Sequence, residues 1–140
     1  MSGGDATGDV LSGIESIIGT ALNDRMAGDA AANRLDGGAG NDSLSGGAGA
    51  DSLIGGTGTD TVGYETSTAG VTVNLSLATA QVSAGDATGD VLSGIENLVG
   101  SALADTLTGT TGVNVLTGGD GDDVLRGLAG ADTLIGGDGL

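Results

Sequence analysis

Polar and apolar positions alternate over very short stretches of this chain, and the alternation recurs every nine residues. One such frame, GGAGNDSLS at 37–45, has six turn-forming residues followed by a polar, an apolar and a polar residue. Because side chains alternate between the two faces of a strand, this ending predicts a short strand whose middle side chain points inward. The first six positions predict a tight turn, since Gly adopts positive φ freely and Asp or Asn bonds to nearby backbone.

Nine complete frames hold the pattern, five over 19–63 and four over 100–135. All begin with Gly and carry Asp or Asn at the sixth position and an apolar residue at the eighth. The predicted core residues at the eighth position are Met26, Leu35, Leu44, Leu53, Val62, Leu107, Leu116, Leu125 and Leu134. Each frame predicts half a coil, so two frames make one 18-residue coil of an all-β fold, a parallel β-solenoid built from nonapeptide half-coils.

A longer repeat of 81 residues is superimposed on the short one, since GDATGDVLSGIE occurs identically at 4–15 and 85–96. Because 81 residues equal an odd number of half-coils, equivalent residues of the two units are expected on opposite edges. The chain is divided into entry strands at 1–18, a first block of turns at 19–63, a connecting segment at 64–99 and a second, truncated block at 100–140.

The connecting segment lacks the Gly-Gly signature, but its apolar residues still alternate with polar ones. Val71, Val73, Leu75 and Leu77 form a clear strand pattern, which predicts that the solenoid continues here without cation-binding turns. The segment is four frames long, so four further half-coils are expected. Further on, DVLSGIENLVG predicts short strands rather than a helical turn, because Gly and Ser surround its apolar residues.

The composition excludes several classes of function. The chain has 31 Gly and neither Cys nor His, which excludes disulfides, thiolate or histidine zinc sites and Ser-His or Cys-His catalytic pairs. No other catalytic constellation is present, so we predict that the protein is not an enzyme. No apolar run reaches the roughly 20 residues of a membrane span, so no membrane insertion is expected. Tyr64, the single aromatic residue, is expected at the surface or an edge of the solenoid.

The charge favours cations as partners. The net charge is -16, from 19 acidic and 3 basic residues, so the surface repels nucleic acid. In a solenoid, turns two frames apart stack on one edge, which brings Asp24, Asp42 and Asp60 together. Carboxylates about 5 Å apart repel each other, and a divalent cation between the turns removes that repulsion. Carboxylate and carbonyl oxygens in an adaptable cage suit Ca²⁺ better than Mg²⁺ or Zn²⁺.

The frames also resemble a known family. GGAGNDSLS, GGAGADSLI, GGTGTDTVG and GGDGDDVLR match G-G-x-G-x-D-x-U-x, the RTX or hemolysin-type calcium-binding nonapeptide, and GLAGADTLI departs from it at the second position. The resemblance implies a right-handed parallel β-roll with several Ca²⁺ ions held between turns two frames apart. Its best site lies between Gly37–Asp42 and Gly55–Asp60, with Asp42 and Asp60 as acidic ligands.

The candidate ligands follow from the frames and this resemblance. The predicted acidic metal ligands are Asp42, Asp60, Asp51, Asp123, Asp132, Asp24 and Asp105. The predicted backbone carbonyl ligands belong to Gly37, Ala39, Gly46, Ala48, Gly55, Thr57, Gly118, Asp120, Gly127 and Ala129. For Asn33 and Asn114 we expect a ladder or capping role. Asp9 and Asp90 lie in GDATGD, which echoes the turn pattern, and their roles as ligands or as turn residues both stay open.

The resemblance implies a calcium-binding structural module of a secreted or cell-surface repeat protein, of the adhesin or surface-layer type. Such proteins leave bacteria unfolded by a type I route and fold on binding Ca²⁺. The alternatives are a polysaccharide-binding module of a secreted enzyme and an ice-binding solenoid, although Val115, Val124 and Arg126 interrupt the Thr ranks that ice binding needs. End-to-end self-association through open strand edges is also considered. The sequence stops within a frame, so a fragment of a longer protein is expected.

Overall fold

The computed structural model describes residues 13–139, so Asp9 and most of the predicted entry segment lie outside the described residues. Within this range the regular structure is strands, apart from one turn of 3₁₀ helix at Gly85–Ala87. The strands are β1 (Ser16–Ile18), β2 (Arg25–Ala27), β3 (Arg34–Ala39), β4 (Ser43–Ser45), β5 (Ser52–Thr57), β6 (Thr61–Gly63), β7 (Thr72–Asn74), β8 (Val91–Ser93), β9 (Asn97–Val99), β10 (Thr106–Thr108), β11 (Val115–Thr117), β12 (Val124–Arg126) and β13 (Thr133–Ile135).

The described strands pair in parallel and form a β-solenoid. One sheet has six strands in the order β2-β4-β6-β9-β11-β13. The other strands form a four-stranded sheet, β1-β3-β5-β8, and a three-stranded sheet, β7-β10-β12. Within each block the pairs are 18 residues apart, as Met26 with Leu44 and Leu116 with Leu134 show. The predicted fold of parallel nonapeptide half-coils is therefore confirmed.

The core is the thin apolar layer that the eighth positions predict. Leu35, Leu44, Leu53, Val62, Leu107 and Leu116 are each at most 1% exposed, and Met26 is buried. Leu125 is partly buried against this cluster, whereas Leu134 is 48% exposed because β13 is the end strand of its sheet. Among residues 13–139 there is no helix long and apolar enough to cross a membrane.

The connecting segment adds fewer coils than its length predicts. Val62 in β6 pairs directly with Leu98 in β9, and Leu53 in β5 pairs with Leu92 in β8. The expectation of four half-coils in sequence order is therefore wrong, since only β8 and β9 continue the two faces. The remaining residues leave the solenoid as an insertion, and its strand β7 adds to β10 through Val73 and Leu107. The predicted short strands around Leu92 and Leu98 are confirmed.

The two copies of the long repeat lie on opposite faces, as the odd count predicts. Leu35 in β3 and its equivalent Leu116 in β11 belong to different sheets. The reason is the alternation of strands between the two faces, from which only β7 departs. Equivalent turns therefore emerge on opposite edges of the molecule.

Candidate metal centres

The sixth-position side chains form hydrogen-bonded ladders along both edges of the solenoid. The backbone N–H of Asp24 donates to Asp42 Oδ1, and that of Asp42 donates to Asp60 Oδ1, both at 2.8 Å. On the other edge, Asn33 N–H donates to Asp51 Oδ1 at 2.8 Å. Each of these carboxylates thereby bridges its own turn to the turn one coil earlier.

The second block repeats this arrangement. The backbone N–H of Asp105 donates to Asp123 Oδ1 at 2.9 Å, and that of Asn114 donates to Asp132 Oδ1 at 3.0 Å. Asn114 Nδ2 also donates to the carbonyl of Glu96 at 2.7 Å. The ladder role expected for Asn33 and Asn114 is therefore confirmed.

The second carboxylate oxygen separates the frames into two groups. Four sixth-position oxygens are buried and have no hydrogen-bond partner among the described residues. These are the Oδ2 atoms of Asp42, Asp51, Asp60 and Asp123. All four belong to frames that begin with Gly-Gly, in which the second Gly has positive φ, for example 94° at Gly38 and 112° at Gly119. Since a buried charged oxygen needs a partner, each of these turns lacks a cationic or donor group.

The frames without Gly-Gly satisfy this oxygen themselves. Asp24 Oδ2 accepts hydrogen bonds from the backbone N–H of Thr20 at 2.6 Å and from its hydroxyl at 2.9 Å. Asp105 Oδ2 accepts from Ser101 N–H at 2.6 Å. The Oδ1 atoms of the two frame asparagines accept equivalent bonds from the second residue of their own frames. In these turns the second residue supplies the donor, so the turn closes on itself.

The first Gly of each frame lies where two oxygens converge. A Cβ atom added to Gly37 would meet both Asp42 Oδ2 and the carbonyl oxygen of Gly55 in the next coil. Likewise, a Cβ on Gly118 would meet Asp123 Oδ2 and the carbonyl of Gly136. The predicted first-position carbonyls that face a Gly one coil earlier are those of Gly37, Gly46, Gly55, Gly118 and Gly127. A carboxylate and a carbonyl oxygen therefore border a space that only Gly leaves open.

The other predicted carbonyl ligands occupy the third position of their frames. Ala48, Asp120 and Ala129 are exposed and Ala39 is half-buried. The carbonyl of Thr57 accepts a hydrogen bond from Gly40 N–H at 2.9 Å. These residues line the outer part of the turns, away from the buried carboxylate oxygens.

The frame GLAGADTLI keeps the Gly-Gly turn conformation despite its substitution. Leu128 stands at the second position with φ of 71°, a left-handed conformation that L side chains rarely adopt. Asp132 in this frame is half-buried and accepts the ladder hydrogen bond on Oδ1. The backbone of this turn thus follows the conformation of the complete motif.

Burial controls the protonation of two ladder carboxylates. It raises the pKa of Asp51, which the nearby charges of Asp29 and Asp86 raise further against the opposing hydrogen bond from Asn33. Burial likewise raises the pKa of Asp60, against the opposing N–H of Asp42. No three acidic side chains converge on one point within residues 13–139. A cation at these turns would therefore rely on backbone carbonyls beside one or two carboxylates.

Asp90 takes the sixth-position place in the coil that follows Asp51. Its Oδ1 accepts the backbone N–H of Asp51 at 2.9 Å, and its Oδ2 accepts the phenolic O–H of Tyr64 at 2.9 Å. Burial is the largest cause that raises the pKa of Asp90 from 3.8 to about 6. Burial, followed by the charge of Asp90, raises the pKa of Tyr64 above its usual range.

The surface position expected for Tyr64 is wrong, because its side chain is 2% exposed and packs in the core. With the ring buried, Tyr64 has no open face on which a sugar could stack.

Glu96 is a ladder residue that sequence reasoning missed. Its Oε2 accepts the backbone N–H of Asp60 at 2.8 Å, the bond that a sixth-position Asp accepts elsewhere. Glu96 lies outside every nonapeptide frame and is a longer residue than the motif demands. One sequence signal could have found it, namely the identical SGIE in both copies of the long repeat.

These features define the protein class as a parallel β-solenoid with Gly-rich turns and stacked carboxylates along its edges. The family described as RTX calcium-binding nonapeptide repeat (4 copies) matches residues 9–44, 18–53, 27–62, 90–119 and 108–139. The chain therefore belongs to the family of RTX calcium-binding nonapeptide repeat proteins, as its frames predict. A search of curated proteins found no matching relative.

Proposed function

We propose that this chain is a structural module of a secreted or cell-surface repeat protein, of the adhesin or surface-layer type, in which Ca²⁺ completes the turn edges. The observation that carries the proposal is the group of four buried Oδ2 atoms without a partner, all in Gly-Gly frames. A calcium ion beside each of these atoms supplies the missing charge. Calcium binding would then contribute directly to folding.

Each of these sites takes a carboxylate from its own turn and the first-Gly carbonyl of the next coil. For Asp42 that carbonyl belongs to Gly55, and for Asp123 it belongs to Gly136. Ligation by Asp132 stays a prediction, as does ligation by Asp24 and Asp105, whose Oδ2 atoms already accept internal hydrogen bonds. Ligation by the third-position carbonyls of Ala39, Ala48, Thr57, Asp120 and Ala129 also stays a prediction.

The donor set and the charge support calcium in particular. All the oxygens that border the turns are carboxylate or carbonyl oxygens, which Ca²⁺ accepts in irregular cages. The net charge of -16 opposes folding until cations bind, and each Ca²⁺ ion cancels two units. Extracellular calcium modules bind at about 10⁻⁴–10⁻³ M. A chain that folds only at such concentrations suits export in an unfolded form, so we propose a type I route to the cell exterior.

The structural role fits better than the two alternatives. The buried ring of Tyr64 does not support polysaccharide binding by stacking. For ice binding, the strand register pairs Thr106 with Val124 and Thr108 with Arg126, so the ranks of Thr are broken. We therefore retain the calcium-stabilised structural module.

Circular dichroism with and without a chelator tests the proposal. We expect little β-structure in chelator and a cooperative gain of β-structure as Ca²⁺ is added, because charge repulsion exceeds what the thin core offsets. Magnesium at the same ionic strength is the control for general screening. A spectrum that is already fully β in chelator and unchanged by millimolar Ca²⁺ would contradict the proposal.

A further inference from the structure

We propose that the chain holds one more divalent cation at the seam where the last nonapeptide turn of the first block meets the turn at 94–96. The seam site consists of Gly55 and Asp60 on one side and Gly94 and Glu96 on the other. This inference rests on the proposed function, since the site takes the same cation. It differs from the other sites because one of its two turns is not a nonapeptide.

An unpartnered carboxylate oxygen faces this seam. Asp60 is 0% exposed, and its Oδ1 is engaged by the backbone N–H of Asp42. Its Oδ2 is buried and has no hydrogen-bond partner among the described residues. A Cβ on Gly55 would meet both this Oδ2 atom and the carbonyl oxygen of Gly94. The two oxygens therefore converge on a space that the missing side chain of Gly55 leaves open.

The turn at 94–96 supplies the contacts that a nonapeptide frame supplies elsewhere. The Gly94 carbonyl stands over Gly55 as the Gly55 carbonyl stands over Gly37. Glu96 Oε2 accepts the N–H of Asp60, just as Asp60 Oδ1 accepts that of Asp42. The acid follows its Gly by two residues here and by five in a frame. The additional methylene of Glu helps its carboxylate reach the ladder from this shorter turn.

The charges at the seam favour a hard divalent cation. Asp60 and the half-buried Glu96 bring two carboxylates to the same edge, beside the carbonyl of Gly94. Two buried or half-buried anions in contact repel, and oxygen ligands of this kind suit Ca²⁺. On the opposite edge, the Tyr64 hydroxyl satisfies the second oxygen of Asp90. That junction has an internal donor, whereas Asp60 Oδ2 has none.

The test compares Glu96→Gln with Glu65→Gln in the full chain. Gln keeps an oxygen that accepts the Asp60 N–H but removes one negative charge. Glu65→Gln removes the same charge from an exposed residue and serves as the matched control. Equilibrium dialysis against Ca²⁺ should show that E96Q loses one ion, or binds it at least tenfold more weakly, while E65Q binds like the wild type. Circular dichroism at saturating Ca²⁺ checks that each variant is folded.

An E96Q variant with unchanged stoichiometry and affinity would overturn the seam site but leave the proposed function intact. A wild-type chain that binds no Ca²⁺ would instead overturn the proposed function. If E96Q does not fold, crystals of the wild-type chain grown with Tb³⁺ decide the question. An anomalous peak between Asp60 Oδ2 and the Gly94 carbonyl is expected, and peaks confined to the nonapeptide turns would refute the site.

Discussion

The hydroxyl of Tyr64 donates a hydrogen bond of 2.9 Å to Asp90 Oδ2 inside the solenoid, where both side chains are at most 2% exposed. Asp90 Oδ1 in turn accepts the backbone N–H of Asp51. The chain leaves the solenoid just after Tyr64 and rejoins it at Asp90. The pair therefore fastens both ends of the insertion to the last regular turn of that edge.

Removal of the phenolic hydroxyl should destabilise the calcium-loaded protein. Tyr64→Phe keeps the ring in the core but leaves Asp90 Oδ2 buried without a donor, which costs about 1–3 kcal/mol. Urea unfolding in saturating Ca²⁺ measures the loss. In the Asp90→Asn background the same Tyr64→Phe change should cost less, because the buried charge is gone. Equal unfolding midpoints for Y64F and the wild type would contradict the structural role of this bond.

The calcium-free fold should lose stability as pH rises through the pKa of Asp90. Burial raises this pKa from 3.8 to about 6, so the folded state binds the proton more tightly than the unfolded state does. The stabilisation is fully present below pH 3.8 and is lost as pH rises through about 6, a change of about 1–3 kcal/mol. The folded fraction in chelator, followed by circular dichroism from pH 4 to 7, measures it.

Asp90→Asn removes the titrating group and is the control for this pH dependence. Its folded fraction in chelator should vary less over the same range. In saturating Ca²⁺ the wild-type trend should reverse, because protons compete with the cation for carboxylates. A calcium-free wild type whose stability rises from pH 4 to 7 would show that other groups dominate.

The two kinds of frame should differ in their contribution to calcium affinity. Asp42→Asn removes the charge beside the buried Oδ2, whereas Asp24→Asn changes a carboxylate whose Oδ2 already accepts two hydrogen bonds from Thr20. Both residues lie on the same edge, so the pair is matched. Calorimetric titration should show at least tenfold weaker binding of one ion for D42N and a smaller change for D24N. Equal losses would mean that the Gly-Gly pair does not distinguish binding turns.

The first Gly of a binding frame should not tolerate a methyl group. Gly37→Ala places its Cβ against Asp42 Oδ2 and the Gly55 carbonyl, so the coils must separate, at a cost of about 1–3 kcal/mol. Gly112→Ala is the control, since its Cβ would meet only Thr110 Oγ1 at 3.4 Å. Thermal unfolding in saturating Ca²⁺ should show a lower midpoint for G37A and little change for G112A. A G37A midpoint at the wild-type value would argue against the convergence of oxygens there.

The sequence alone determined the repeating part of this protein. The nine-residue period fixed the strands, the core residues such as Leu44 and Leu116, and the stacking of sixth-position residues along each edge. This is possible because each half-coil contacts mainly its immediate neighbours in the stack, so one frame and its period describe them all. The family followed from the same frames.

The tertiary structure alone decided what happens where the period fails. The pairing of β7 with β10, the burial of Tyr64 and the ladder position of Glu96 depend on contacts between residues 26 to 36 positions apart. No local pattern specifies such contacts, because the insertion could rejoin the stack at more than one length. The division between frames with a free Oδ2 and frames with a bonded one also needed coordinates. It depends on whether the second residue of the turn directs its N–H at the carboxylate.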